Sequence, residues 1–125
     1  MIAMIGAGNM SRAIIGGLIE RGHPATRLAA SDPDAETRRA VADQYGIATH
    51  AENAHAVAGA DIVVLAVKPQ VIDTVTGSIA SALPDACVVV SVAAGIPVAR
   101  LRAHLGVGRA LVRAMPNTPA LHGAG

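Results

Sequence analysis

Near the start of this 125-residue chain, Gly6-Ala7-Gly8-Asn9-Met10-Ser11 follows an apolar run, Ile2 to Ile5, and opens a helical pattern. Glycines at such a junction let the backbone turn sharply and let a ligand come close to the amides. The first allows the tight turn. The second admits a diphosphate, which then meets the free N–H groups and positive dipole end of the following helix. The third place in the spacing only has to let helix and strand pack closely. Ser11 is small enough for that, and Gly16-Gly17 would ease the contact further along. In a strand–turn–helix setting the pattern reads as a dinucleotide-binding turn; the alternative is a turn that is purely structural.

The residue ending the second strand decides which dinucleotide fits, by meeting a ribose hydroxyl or a 2′-phosphate. That place is held by Ser31-Asp32-Pro33. Asp32 would accept from the hydroxyls of NAD(H) and repel a phosphate, or it would cap the next helix; Ser31 could donate to a phosphate. Arg38 and Arg39 lie a turn or more further on. Lys68, the only lysine, sits in Val67-Lys68-Pro69-Gln70 where a later strand ends, and is read either as a solvated charge or as a cofactor contact. Ala93, Ala94 and Gly95 offer small residues at the same sheet edge, and "MPNTP" offers Asn117 and Thr118 in a proline-fixed turn. The five histidines show no metal-ligand spacing, so no metal site is expected. No serine or cysteine sits in a nucleophile-elbow context.

Alternating elements must position these residues. Helical spacing runs from Asn9 to about Arg21, and "LAAS" (Leu28 to Ser31) reads as a second strand. The stretch from Asp32 to Tyr45 predicts a helix with Asp32 as a plausible cap, Pro33 in the first turn and Gly46 past the end. "IAT" is a brief third strand, followed by a short helix over Glu52 to Val57. "DIVVLAV" and "CVVVSVAAG" are buried strands separated by a helix over "QVIDTVTGSIASAL". Pro97 opens a helix to about His104, and Arg109 to Met115 forms a last strand. Strands alternating with helices predict an α/β fold: a Rossmann-like, doubly wound, mainly parallel sheet with helices on both faces, formed by residues 1–125 as one domain.

Composition narrows the function classes. Hydrophobic content is 52%, mean hydropathy is +0.46, and the only aromatic residue is Tyr45, so Ala, Val, Ile and Leu must fill the core. A chain this poor in aromatics lacks base-stacking platforms, and a net charge of +1 without basic runs argues against nucleic-acid or membrane partners. Cys87 stands alone in an apolar run and reads as a buried small hydrophobe, which suits a cytoplasmic location.

With these segments in view, the chain resembles the N-terminal domain of pyrroline-5-carboxylate reductase, the last enzyme of proline biosynthesis. "IGAGNM", "SDPD", Asn53 in "AENA", "DIVVLAVKPQ", "VVVSVAAGI" and "RAMPNTPA" occur in family order and span nearly the whole chain. Hydroxyisobutyrate and 6-phosphogluconate dehydrogenases share the first motif but lack the later trio. The resemblance implies cofactor contacts at Ile5, Gly6, Ala7, Gly8, Asn9 and Met10. It implies others at Ser31, Asp32, Asn53, Ala66, Val67, Lys68, Pro69, Ala93, Ala94 and Gly95, with Asn117 and Thr118 near the nicotinamide and substrate. It further implies NADP(H) as cofactor, with NAD(H) as the alternative, and hydride transfer from nicotinamide C4 to the C=N carbon of 1-pyrroline-5-carboxylate, giving L-proline. In that reaction the protein mainly orients two rings and holds the substrate carboxylate. The family's helical second domain, which forms the dimer and supplies the substrate loop, is expected to be absent here. The chain is therefore expected to bind a nicotinamide dinucleotide without turning over substrate alone; a non-catalytic nucleotide-binding module is the competing expectation.

Overall fold

The structure, a computed structural model, describes residues 1–114. Among these residues six strands, β1 (Ile2–Ile5), β2 (Leu28–Ser31), β3 (Ala48–His50), β4 (Ile62–Leu65), β5 (Val88–Ser91) and β6 (Ala110–Arg113), form one sheet in the order β3-β2-β1-β4-β5-β6. Every pairing is parallel, and Ile5 lies in register with Ser31 on one side and Leu65 on the other. β1 and β4 are adjacent although two strands separate them in sequence. The chain thus winds outward in one direction from β1 and in the other from β4, leaving a crevice beyond the strand ends at that reversal.

Among the described residues, five α-helices cover the sheet: α1 (Asn9–Glu20), α2 (Ala35–Tyr45), α3 (Asn53–Val57), α4 (Ile72–Ile79) and α5 (Val98–Leu105). Because strand side chains alternate, Met4, Leu28, Ala30 and Val64 point to one face, where Ile15 of α1 and Val41 of α2 pack on them. Ala3, Ile5, Val63, Leu65 and Val89 point to the other, against Val57, Ile72, Ile79 and Leu101 of α3, α4 and α5. Full burial of each Leu, Ile or Val contributes about 1.5–3 kcal/mol, so many such contacts replace the missing aromatics. Tyr45 packs across α1, where a Cβ at Gly16 would lie 3.3 Å from its hydroxyl. Gly16 therefore serves helix–helix contact rather than the helix–strand contact expected of it. Gly17 meets nothing within 4 Å.

Several boundaries differ from the sequence-based expectation. Asp34, not Asp32, is the N-cap of α2: its side chain accepts from the amide of Thr37 at 3.0 Å. Pro33 consequently precedes the helix. The expected single helix after Pro69 is a 3-10 turn, Pro69–Val71, leading into α4, and β3 begins at Ala48 rather than Ile47. The two long apolar runs supply strands of only four residues each, because their ends turn away as loops.

Candidate dinucleotide site

Gly6 is pinned where β1 ends. Its amide donates to the Ser31 carbonyl at 2.8 Å, while the amide of Ala66 donates to the Ile5 carbonyl at 2.9 Å. Gly6 has φ +94°, and a Cβ there would lie 2.6 Å from the Ala66 carbonyl oxygen. The first glycine is thus required by the chain's own packing. Gly8 is different: φ is −78°, open to any residue, and a Cβ would meet no atom of the described residues within 4 Å. Nothing among the described residues demands a glycine at that place. The bare position faces outward from the start of α1, whose first turn has no side-chain cap and no acidic residue. Ser11 is fully buried, as close packing requires, but its hydroxyl finds no hydrogen-bond partner among the described residues.

Beyond the ends of β1 and β4 lies a cleft of about 660 Å³. Ile5, Gly6 and Gly8 line it from the β1 side, and Ser31 and Asp32 from the end of β2. Asn53 of α3 and Ala66, Val67 and Lys68 after β4 complete the expected residues found there. Ala7 is buried beneath this wall, whereas Asn9, Met10 and Pro69 stand beside the cleft's lining rather than in it. The β5 loop lies apart: Ala93 is buried in the core and Ala94 and Gly95 are exposed outside the cleft walls. Asn117 and Thr118 lie outside the described residues. Sequence reading missed the wall opposite the glycines, where Val71, Thr74, Val75 and Ser78 close the cleft. The helical repeat of Ile72, Val75, Thr76 and Ile79 signals which side of α4 is buried, but not that its neighbours border a ligand space.

Polar groups on the walls are tied to one another. The Ser31 hydroxyl donates to Asn53 Oδ1 at 2.7 Å, and Asn53 Nδ2 donates to the Ser78 hydroxyl at 3.3 Å. This chain links β2, α3 and α4 across the cleft floor. Asp32 accepts from the Ala7 amide through Oδ2 at 3.1 Å and from the Asp34 amide through Oδ1 at 2.9 Å. Arg38 Nη1 donates to the Asp32 carbonyl at 2.8 Å, so this guanidinium folds back onto the end of β2, outside the residues that line the cleft. Lys68 is exposed at the mouth. Helix amides without a partner among the described residues, a bare Gly8 and the cationic Lys68 suit an elongated anionic ligand. Among the described residues, no cluster of His, Cys, Asp or Glu is arranged to hold a metal ion, and no helix is long and apolar enough to cross a membrane.

Residues 1–95 match the model of the family described as "NADP oxidoreductase coenzyme F420-dependent". The chain is 53% identical over 120 residues to pyrroline-5-carboxylate reductase of Pseudomonas aeruginosa, covering 96% of this chain and 44% of that protein. With the Escherichia coli reductase it shares 44% identity over 126 residues, covering 99% of this chain and 46% of that protein. The chain thus spans under half the length of these relatives. Among solved structures, the pyrroline-5-carboxylate reductase of Coxiella burnetii superposes with a TM-score of 0.91 at 34% identity, covering 97% of this chain and 45% of that one. The Plasmodium falciparum pyrroline carboxylate reductase, solved with NADP bound, superposes with a TM-score of 0.80 at 25% identity, over 98% of this chain and 44% of that one. With its family model matched over most of its length, the chain belongs to the F420-dependent NADP oxidoreductase family, and the curated relatives named here are pyrroline-5-carboxylate reductases.

Proposed function

We propose that this chain is the cofactor-binding portion of a pyrroline-5-carboxylate reductase and holds NADP(H) in the cleft between β1 and β4. The observation that carries the reading is Gly8. Its backbone would tolerate a side chain and the described surroundings leave room for one, so on this reading the bare position serves a ligand rather than the chain's own packing. On this reading the amides at the start of α1 donate to the diphosphate, and the closed polar chain Ser31–Asn53–Ser78 shapes the floor under the adenosine half. Ile5, Ala66 and Val67 give an apolar wall that excludes water from one side of the cleft. Lys68 supplies positive charge at the mouth. Ala7, Asn9, Met10 and Pro69 act as neighbours of these contacts, and Ala93, Ala94 and Gly95 would meet the cofactor only beyond the cleft's described walls.

When bound, NADPH would supply the hydride that in the full reaction adds to the C=N carbon of protonated 1-pyrroline-5-carboxylate, whose nitrogen keeps its proton, to give L-proline. The chain's contribution is to fix the donor's position, and an imine needs no nucleophile from this portion. Substrate capture belongs to the rest of a longer reductase, and the cytoplasm is the compartment this biosynthetic role implies. Neither nucleic acid nor membrane has a part in it. Titrating the purified chain with NADPH and NADH, following nicotinamide fluorescence, tests the reading. Saturable binding of NADPH is expected; no binding of either dinucleotide would overturn it.

A further inference from the structure

We infer that Asp32 is a positioning residue that locks the glycine turn in its ligand-ready shape, and that it does not select between NADH and NADPH. The inference rests on the proposed reading that the cleft holds a nicotinamide dinucleotide. The Gly6–Ala7 peptide follows a residue at φ +94°, and with glycines on both sides of Ala7 no neighbouring side chain fixes its direction. The direction of that peptide sets where the amides of Gly8 and of α1 point. Asp32 Oδ2 accepts from the Ala7 amide across 25 residues of sequence, so the carboxylate holds this one peptide plane. Its other oxygen is held in turn by the Asp34 amide two residues on, an Asx-type turn, and the Arg38 guanidinium fixes the Asp32 carbonyl from within α2. The carboxylate is therefore anchored to the β2–α2 turn at one end and to the glycine turn at the other. Each oxygen here already carries a backbone partner, so the two turns set the carboxylate's direction before any ribose arrives.

The two roles predict different affinity patterns. A ribose reader, once removed, weakens NADH and strengthens NADPH by relieving repulsion of the 2′-phosphate. A positioning residue, once removed, weakens both by the same factor, because the diphosphate site is common to them. Titrations of the wild type, Asp32→Ala and Asp32→Asn with NADPH and NADH test this, together with amide hydrogen exchange. Expected are a loss of about tenfold for each dinucleotide in Asp32→Ala, from the missing charge-assisted bonds, and an intermediate loss in Asp32→Asn, which keeps one acceptor. Exchange at Ala7 and Asp34 speeds up in Asp32→Ala, while the strand amides of Met4 and Ala30 stay protected and report an intact sheet. If Asp32→Ala does not fold, Asp32→Asn carries the same comparison. Opposite changes for the two dinucleotides, or unchanged affinity for both, would overturn the inference. A wild type that binds neither would overturn the cofactor reading instead, and exchange at Ala7 would still decide whether the carboxylate locks the turn.

Discussion

At Gly6 a methyl group would have to share space with the Ala66 carbonyl, whose oxygen stands 2.6 Å from where the Cβ would be, and at a φ that disfavours L-residues. At Gly8 the same methyl group would enter open space. Gly6→Ala is therefore expected to lower folding stability by about 2 kcal/mol or more. Gly8→Ala should cost about 1 kcal/mol or less as an N-cap change while weakening NADPH at least about tenfold by blocking close approach. Urea unfolding and fluorescence titration of both variants check this; the account fails if the two effects are reversed. Ser11 gives a second test at this scale. It occupies a fully buried site where its hydroxyl has no partner among the described residues, and alanine is the better helix former. Ser11→Ala should then raise stability by about 1 kcal/mol, read as a higher urea midpoint with unchanged slope, and a lower midpoint would show that the hydroxyl is satisfied.

The start of α2 shows how far local sequence carries an element. Two aspartates flank Pro33, and either could cap the helix by residue type alone. Asp34 does so because Thr37, three residues on, offers it both a hydroxyl and an amide. Donation by the Thr37 hydroxyl, then by its amide, holds the Asp34 carboxyl below its ordinary value of 3.8. A carboxyl lowered in the folded state stabilises above its unfolded value and loses that effect as pH falls through its folded one. Asp34→Ala should therefore lower the thermal midpoint at neutral pH, with the gap from the wild type closing as pH drops below 3.8; a gap constant with pH would assign the effect elsewhere. The alternating pattern made the strands and helices legible, since buried runs such as "VVLA" and helical repeats such as Ile72, Val75 and Ile79 carry their own periodicity. It could not show that Asp32 would bond to Ala7 or that Gly16 would face Tyr45. Those pairings are 25 and 29 positions apart and depend on how separate elements dock.

Across the whole molecule, topology turns a short motif into a site. With β1 between β2 and β4, the glycine turn, the Asp32 turn and the loop after β4 converge on one crevice. Parallel strands joined by helices made that convergence readable from the sequence, because every β–α turn must leave from the same sheet edge. The far wall was not readable: Thr74 and Ser78 border the cleft because of where α4 docks, which no spacing rule specifies. The account's central claim is that the start of α1 grips a diphosphate through the gap at Gly8. A crystal structure of this chain grown with NADPH measures that claim most directly. It should show the diphosphate against the amides of Gly8, Asn9 and Met10, with the rest of the cofactor lying along the cleft between β1 and β4. A dinucleotide bound anywhere else, with the α1 amides facing only water, would contradict it.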